Sequence, residues 1–116
     1  MAAHCLAINE EETTILADKG VYVAHCPITY MKLAMPFAPL SKRLEAGVKL
    51  SLGTDGPGSN ADMDMFAVIR QTALSDKYQS LNPEAIPHDT ALRMATHNGA
   101  AALGFEGTGK LKVGAR

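Results

Sequence analysis

The chain has 116 residues, 47% hydrophobic and 20% charged, a balance that fits one small globular domain and excludes a disordered tail. Its formal net charge of -1 offers no basic footprint for nucleic acid, and no apolar run approaches the roughly 20 residues that span a bilayer. There is no charged-then-apolar leader, and two cysteines are too few for a disulfide framework, so a reducing cytoplasm is the expected compartment.

In chain order, Ala2 to Cys5 reads as the end of a strand. A helix follows from about Glu10 to Lys19, with Asn9 as N-cap, acidic residues in its first turn and Gly20 as its stop. The β-branched and aromatic run Val21–His25 is a second strand, and the prolines Pro27, Pro36 and Pro39 mark a long loop after it. A short helix is expected over about Leu40–Glu45, then a third strand from Val48 to Gly53 and a loop from Thr54 to Ala61. The spacing of Met65, Phe66, Ile69, Ala73 and Leu74 predicts a long helix from about Asp62 to Tyr78, capped by Asn60 or Asp62. Asn82-Pro83-Glu84 has the form of a cap followed by proline at the first helical position. Thr90–Ala95 and Gly99–Leu103 are helical, with Thr96-His97-Asn98 between them.

Strands alternating with helices imply a parallel sheet. The echo of Ala-His-Cys at Ala3–Cys5 and Ala24–Cys26 suggests repeated βα units, as in a (β/α)8 barrel. Met1-Ala2-Ala3 leads directly into His4-Cys5, and Gly109–Gly114 alternates like a hairpin before Arg116, so a fragment of a larger protein is expected. The expected division is 1–106 for a partial barrel and 107–116 for the start of a β segment.

The residues with chemical capacity gather after the strands. Asp55, in Leu52-Gly53-Thr54-Asp55-Gly56, stands at a strand tip with glycine on both sides. It reads either as a turn aspartate or as a carboxylate with room for a ligand beside it. His4 is either a hydrogen-bonded, partly buried imidazole or a group aimed at the same face. Ser59 and Asn60 read as a helix cap, or Ser59 as a hydroxyl that touches substrate from the same loop. Gly56–Asn60 is no phosphate cradle, since it lacks a Gly-Lys-Ser/Thr ending. A zinc site built from His4, Cys5, His25 and Cys26 conflicts with strand geometry, because neighbouring side chains on a strand face opposite ways. The cysteines read as small buried apolar residues, His88 and His97 as capping or surface groups, and Met31, Met35, Met63, Met65 and Met94 as packing.

Ala3-His4-Cys5, Ala24-His25-Cys26-Pro27, Met31-Lys32-Leu33-Ala34, Leu52-Gly53-Thr54-Asp55-Gly56, Ser59-Asn60 and Ala95-Thr96-His97-Asn98-Gly99-Ala100 occur in that order. Together they resemble the C-terminal part of the amidohydrolase superfamily, in the methylthioadenosine/S-adenosylhomocysteine deaminase and chlorohydrolase branch. The resemblance implies an α/β fold: the last three βα units of a (β/α)8 barrel, following helices and the start of a small β-sandwich strand. It also implies one divalent metal, zinc or iron, at the C-terminal face. Asp55 matches the aspartate after the eighth strand, a metal ligand that shuttles the proton of the attacking water. His4 matches the histidine after the sixth strand, beside the metal and the substrate rather than a full ligand. Ser59 matches a position that contacts a nucleoside substrate, and His25 matches no usual ligand. Such an ion lowers the pKa of a bound water from about 16 toward 7.

The implied activity is metal-dependent hydrolysis at a C–N bond of an aminated heterocycle, led by methylthioadenosine or S-adenosylhomocysteine deamination. Guanine deamination, chlorohydrolase activity and a non-catalytic truncated α/β module are the alternatives. The implied partner is a small heterocyclic molecule; a homo-oligomer of the full-length protein is compatible with this. The family's His-x-His and a further metal histidine do not occur here and would lie upstream of Met1, so the chain alone is expected to be inactive. Pro27-Ile28-Thr29-Tyr30 departs from the commoner Pro-Thr-Ser-Asn, and Pro36 stands where glycine is frequent, which leaves the substrate open.

Overall fold

Apolar alternation sets three short strands side by side. The computed structural model describes residues 1–37, 39–105 and 107–115. In it β1 (Ala2–Ala3), β2 (Tyr22–His25) and β3 (Lys49–Leu52) form a parallel sheet in the order β1-β2-β3. Ala3 lies opposite Ala24, Val23 opposite Leu50, and His25 opposite Leu52. Because the strands are parallel, their C-terminal ends meet along one edge.

Between β1 and β2 runs α1 (Glu10–Asp18), held by a reciprocal cap. The Glu12 N–H donates to the Asn9 side chain at 2.9 Å, and the Asn9 N–H donates to the Glu12 carboxylate at 2.9 Å. The stretch after His25, expected as unbroken loop, opens instead with α2 (Pro27–Lys32). Pro27 occupies the first turn, where a missing N–H costs nothing, so this proline starts a helix instead of preventing one. The same holds for Pro57, which opens α4 (Pro57–Asn60) inside the expected 54–61 loop. Between them α3 (Leu40–Glu45) forms as expected.

The long helix α5 (Met65–Ser80) starts later than the spacing suggests. Its cap is Asp64, whose carboxylate accepts from the Phe66 and Ala67 N–H groups at 2.8 and 3.2 Å. Asn60 belongs to α4, and Asp62 accepts from the Asp64 N–H. The buried face of α5 is Val68, Thr72 and Asp76, whereas Phe66 and Leu74 of the expected apolar stripe are exposed. Asn82-Pro83-Glu84 forms a turn, not a helix start, and Lys77 Nζ ties it back by donating to Pro83 O and Ala85 O at 2.6 Å each. The next helices are α6 (His88–Ala95), with exposed His88 at its start, and α7 (His97–Ala102).

The core joins Val23, Val48, Leu50 and Leu52 of the sheet region to Leu40 of α3, Val68 of α5, Ile86, and Ala91 and Met94 of α6. Leu50 is fully buried, so its truncation to alanine costs about 2–5 kcal/mol. Of the methionines expected to pack, Met94 is buried and Met65 lies against the core, but Met31, Met35 and Met63 are exposed.

Among the described residues, 107–115 contain no strand; Leu111 and Val113 are exposed and have no neighbouring strand to pair with. Gly109, at φ +77°, instead presses against α7: a Cβ there would lie 2.7 Å from the His97 Cα. The domain boundary drawn at residue 106, Ala38 of the expected loop and Arg116 lie outside the described residues. Among the described residues no helix is long and apolar enough to cross a membrane.

Candidate active site

The parallel edge brings three strand ends together. The His4 N–H donates to Ala24 O at 2.9 Å and the Gly53 N–H donates to His25 O at 3.0 Å, each extending the sheet by one rung. The backbone then turns abruptly. His4 and Cys5 adopt φ of 63° and 51°, and Asp55 adopts 61°, all in the left-handed region that costs an L-residue energy. Aspartate tolerates this region better than most residues, and strained backbone of this kind gathers at functional sites. Gly53 keeps the neighbouring space clear, since a Cβ there would lie 3.3 Å from the Cys26 sulfur.

These turns aim His4 and Asp55 at each other. His4 Nε2 lies 3.9 Å from Asp55 Oδ2, and the two side chains are 38% and 31% exposed, enough for a ligand to reach both. The other Asp55 oxygen, Oδ1, accepts from the Gly56 N–H at 2.8 Å. That bond is the main cause of a carboxyl pKa below its ordinary value, working against burial, which raises it. Thr29, His4 and Ser59 lower it further, although the Thr29 hydroxyl makes no hydrogen bond of good geometry. Asp55 is therefore an anion at neutral pH.

The loop that carries Asp55 is tied at several points. Buried Asn60 donates from Nδ2 to Thr54 O at 2.6 Å, Ser59 Oγ donates to Gly56 O at 3.0 Å, and Lys32 Nζ donates to Gly58 O at 3.0 Å. Beneath it, Asn98 of α7 donates to Leu50 O at 2.8 Å and pins that helix to β3.

His25 takes a different path. It shares the face of Val23, points into the core and is 1% exposed, with neither ring nitrogen hydrogen-bonded among the described residues. Burial, then Arg43 and His4, push its pKa down to about 3, so it is neutral. The four-residue zinc set His4, Cys5, His25 and Cys26 does not assemble, as strand alternation requires. A different trio does: donor atoms of His4, Cys26 and Asp55 all lie within 4.8 Å of one another. Burial, with Asp55 adding to it, raises the Cys26 thiol to about 11, so it stays protonated and Asp55 is the anionic donor of the group.

Two neighbours of His4 are not evident from sequence. Tyr30 is fully buried, and its hydroxyl lies 3.2 Å from His4 Nδ1 and accepts from the Cys26 N–H at 2.8 Å. Cys26 reads as packing alone. The available signal was their four-residue separation, which faces one way only if Pro27 is taken as a helix start.

An acid, an imidazole and a hydroxyl along the C-terminal edge of a parallel sheet are the furniture of an α/β enzyme site. Comparison sharpens the class: the amidohydrolase family model matches residues 1–116, and the chain belongs to that family. It is 49% identical over 114 residues to a 5-methylthioadenosine/S-adenosylhomocysteine deaminase of Dictyoglomus thermophilum, covering 98% of this chain and 27% of that protein. It is also 49% identical over 114 residues to a 5'-deoxyadenosine deaminase of Methanosarcina mazei, covering 98% and 26%. Among solved structures it superimposes on an adenosine deaminase from Xanthomonas campestris with bound zinc, at a TM-score of 0.90 and 40% identity, over 96% of this chain and 26% of that one. The chain thus spans about a quarter of the length of the curated relatives it matches.

Proposed function

We propose that this chain supplies part of the active site of a metal-dependent aminohydrolase that removes ammonia from an adenine-type nucleoside such as methylthioadenosine or S-adenosylhomocysteine. The observation that carries the reading is the approach of Asp55 Oδ2 to His4 Nε2, 3.9 Å, on the open edge of the sheet. The deaminase names of the relatives support the substrate class. Within this reading the three strands are the last three βα units of a (β/α)8 barrel, and the rest of the barrel belongs to a longer polypeptide. The whole protein is then a cytoplasmic enzyme, with self-association compatible with the reading.

The donor set fits zinc in part. A carboxylate beside an imidazole suits that ion, while a catalytic zinc takes three protein ligands, so the remaining ones come from outside this chain. Asp55 is the ligand proposed here. A bound divalent ion supplies a water of lowered pKa. Asp55, held ionised by the Gly56 N–H, takes the proton of the attacking water and gives it to the departing amine. His4 Nε2 faces the same space and orients the water or the leaving group. Ser59, on the loop that carries Asp55, contacts the nucleoside. Water adds its oxygen to the ring carbon, and the C–N bond breaks to give ammonia.

The test is a panel of adenosine analogues, guanine and chlorinated triazines presented to the full-length protein, with ammonia and chloride release measured. Ammonia from 5'-modified adenosines is the expected result. Turnover of triazines or guanine alone, or of nothing in the panel, would overturn the assignment.

A further inference from the structure

The hydrogen-bond pattern around His4 can be resolved to the level of a single hydrogen. Tyr30 Oη has two partners, the Cys26 backbone N–H at 2.8 Å and His4 Nδ1 at 3.2 Å. A backbone N–H can only donate, so the phenol oxygen accepts there and its own hydrogen is free for His4. We infer that Tyr30 is a positioning residue that fixes the tautomer of His4: its phenol donates to Nδ1, so the neutral imidazole carries its hydrogen on Nε2, directed at Asp55.

The alternative tautomer fails on two counts. With the hydrogen on Nδ1, the phenol oxygen would accept two N–H bonds, and its own hydrogen would be left with the Cys26 sulfur, a weak acceptor. It would also turn a bare Nε2 lone pair toward an anionic carboxylate 3.9 Å away. The phenol is also unable to swing elsewhere. Tyr30 is fully buried, and its ring packs edge-on against His25 at 5.0 Å, Phe37 at 5.8 Å and His4 at 5.6 Å between centroids. The consequence is chemical. With its hydrogen on Nε2, His4 offers that hydrogen to the reaction space and cannot accept one there, which leaves Asp55 as the base.

That consequence rests on the function proposed above; the tautomer does not. The test uses the full-length protein with 15N-labelled histidine, with and without zinc, and assigns the His4 ring signals by their loss in His4→Gln. Wild-type protein should show a protonated Nε2 and a hydrogen-bonded, unprotonated Nδ1. In Tyr30→Phe the Nδ1 signal should move to that of a free ring nitrogen and the second tautomer should appear. With a 5'-modified adenosine as substrate, kcat should fall by roughly tenfold to a hundredfold while KM changes by less than about threefold. A wild-type His4 protonated on Nδ1 overturns the inference, even if Tyr30→Phe does not fold after leaving the Cys26 N–H without a partner. Ring signals identical in wild type and Tyr30→Phe overturn it as well. The expected tautomer together with an unchanged kcat supports Tyr30 as the determinant and overturns the role given to His4.

Discussion

Asp55→Asn separates chemistry from fold more cleanly than any other change at this site. Asparagine tolerates the left-handed backbone that residue 55 adopts at φ 61°. Its amide oxygen can still accept from the Gly56 N–H, the 2.8 Å bond that shapes the turn, so the loop should stay in place. What is lost is the charge, and what is gained is an NH2 where Oδ2 faced His4 Nε2 at 3.9 Å, a donor set against a donor in the tautomer inferred above. Removing a general acid–base group costs about 10²–10⁴ in rate. That corresponds to roughly 3–5 kcal/mol of barrier at 1.36 kcal/mol per tenfold. Weaker metal binding would add to the loss. The assay is ammonia release by the full-length variant at saturating nucleoside, alongside zinc content per chain and a thermal melt. An unchanged melt with kcat down at least a hundredfold is the expected result. A kcat within about threefold of wild type, at equal zinc content, would refute the role given to this carboxylate.

His4→Ala should reduce kcat by about a hundredfold while leaving zinc content nearly unchanged; loss of the zinc would make His4 a ligand rather than a neighbour. Gly109→Ala should lower stability by about 1–3 kcal/mol, because its Cβ would overlap the His97 backbone at 2.7–2.8 Å on a φ of +77°, and an unchanged Tm would contradict that close approach. Stability should rise with pH between about 3 and 6.5, because the unfolded chain binds a proton at His25 that the folded protein refuses. The slope is at most about 1.4 kcal/mol per pH unit, and His25→Phe should flatten it in urea midpoints taken at several pH values. Asp55 contributes with the same sign, but only below about pH 4, where its lowered pKa makes the folded state lose its carboxylate later than the unfolded one.

What was legible in the sequence was local. Asn9 and Gly20 bracket α1 by capping chemistry, a β-branched and aromatic run marks β2, and apolar alternation marks β3. Asp55 and His4 were visible as strand-tip residues, and the structure brings them together. Proline was the main source of error, since Pro27 and Pro57 serve as first-turn residues where their composition suggested loop. The start of α5 was placed too early because Asn60 and Asp62 are both competent cap residues, whereas it is Asp64 that accepts from the Phe66 and Ala67 N–H groups. The contact between Tyr30 and His4 joins residues 26 apart through a sheet register that no local pattern encodes.

The left-handed turns at positions 4 and 55 also restrict what evolution or a mutant library can sample there. Valine, isoleucine and threonine are barred by their branched Cβ before any question of reactivity arises. Saturation mutagenesis scored by yield of soluble protein, with activity ignored, should therefore recover glycine, asparagine and aspartate at position 55 and few others. The backbone itself acts as a filter on the alphabet available to the site.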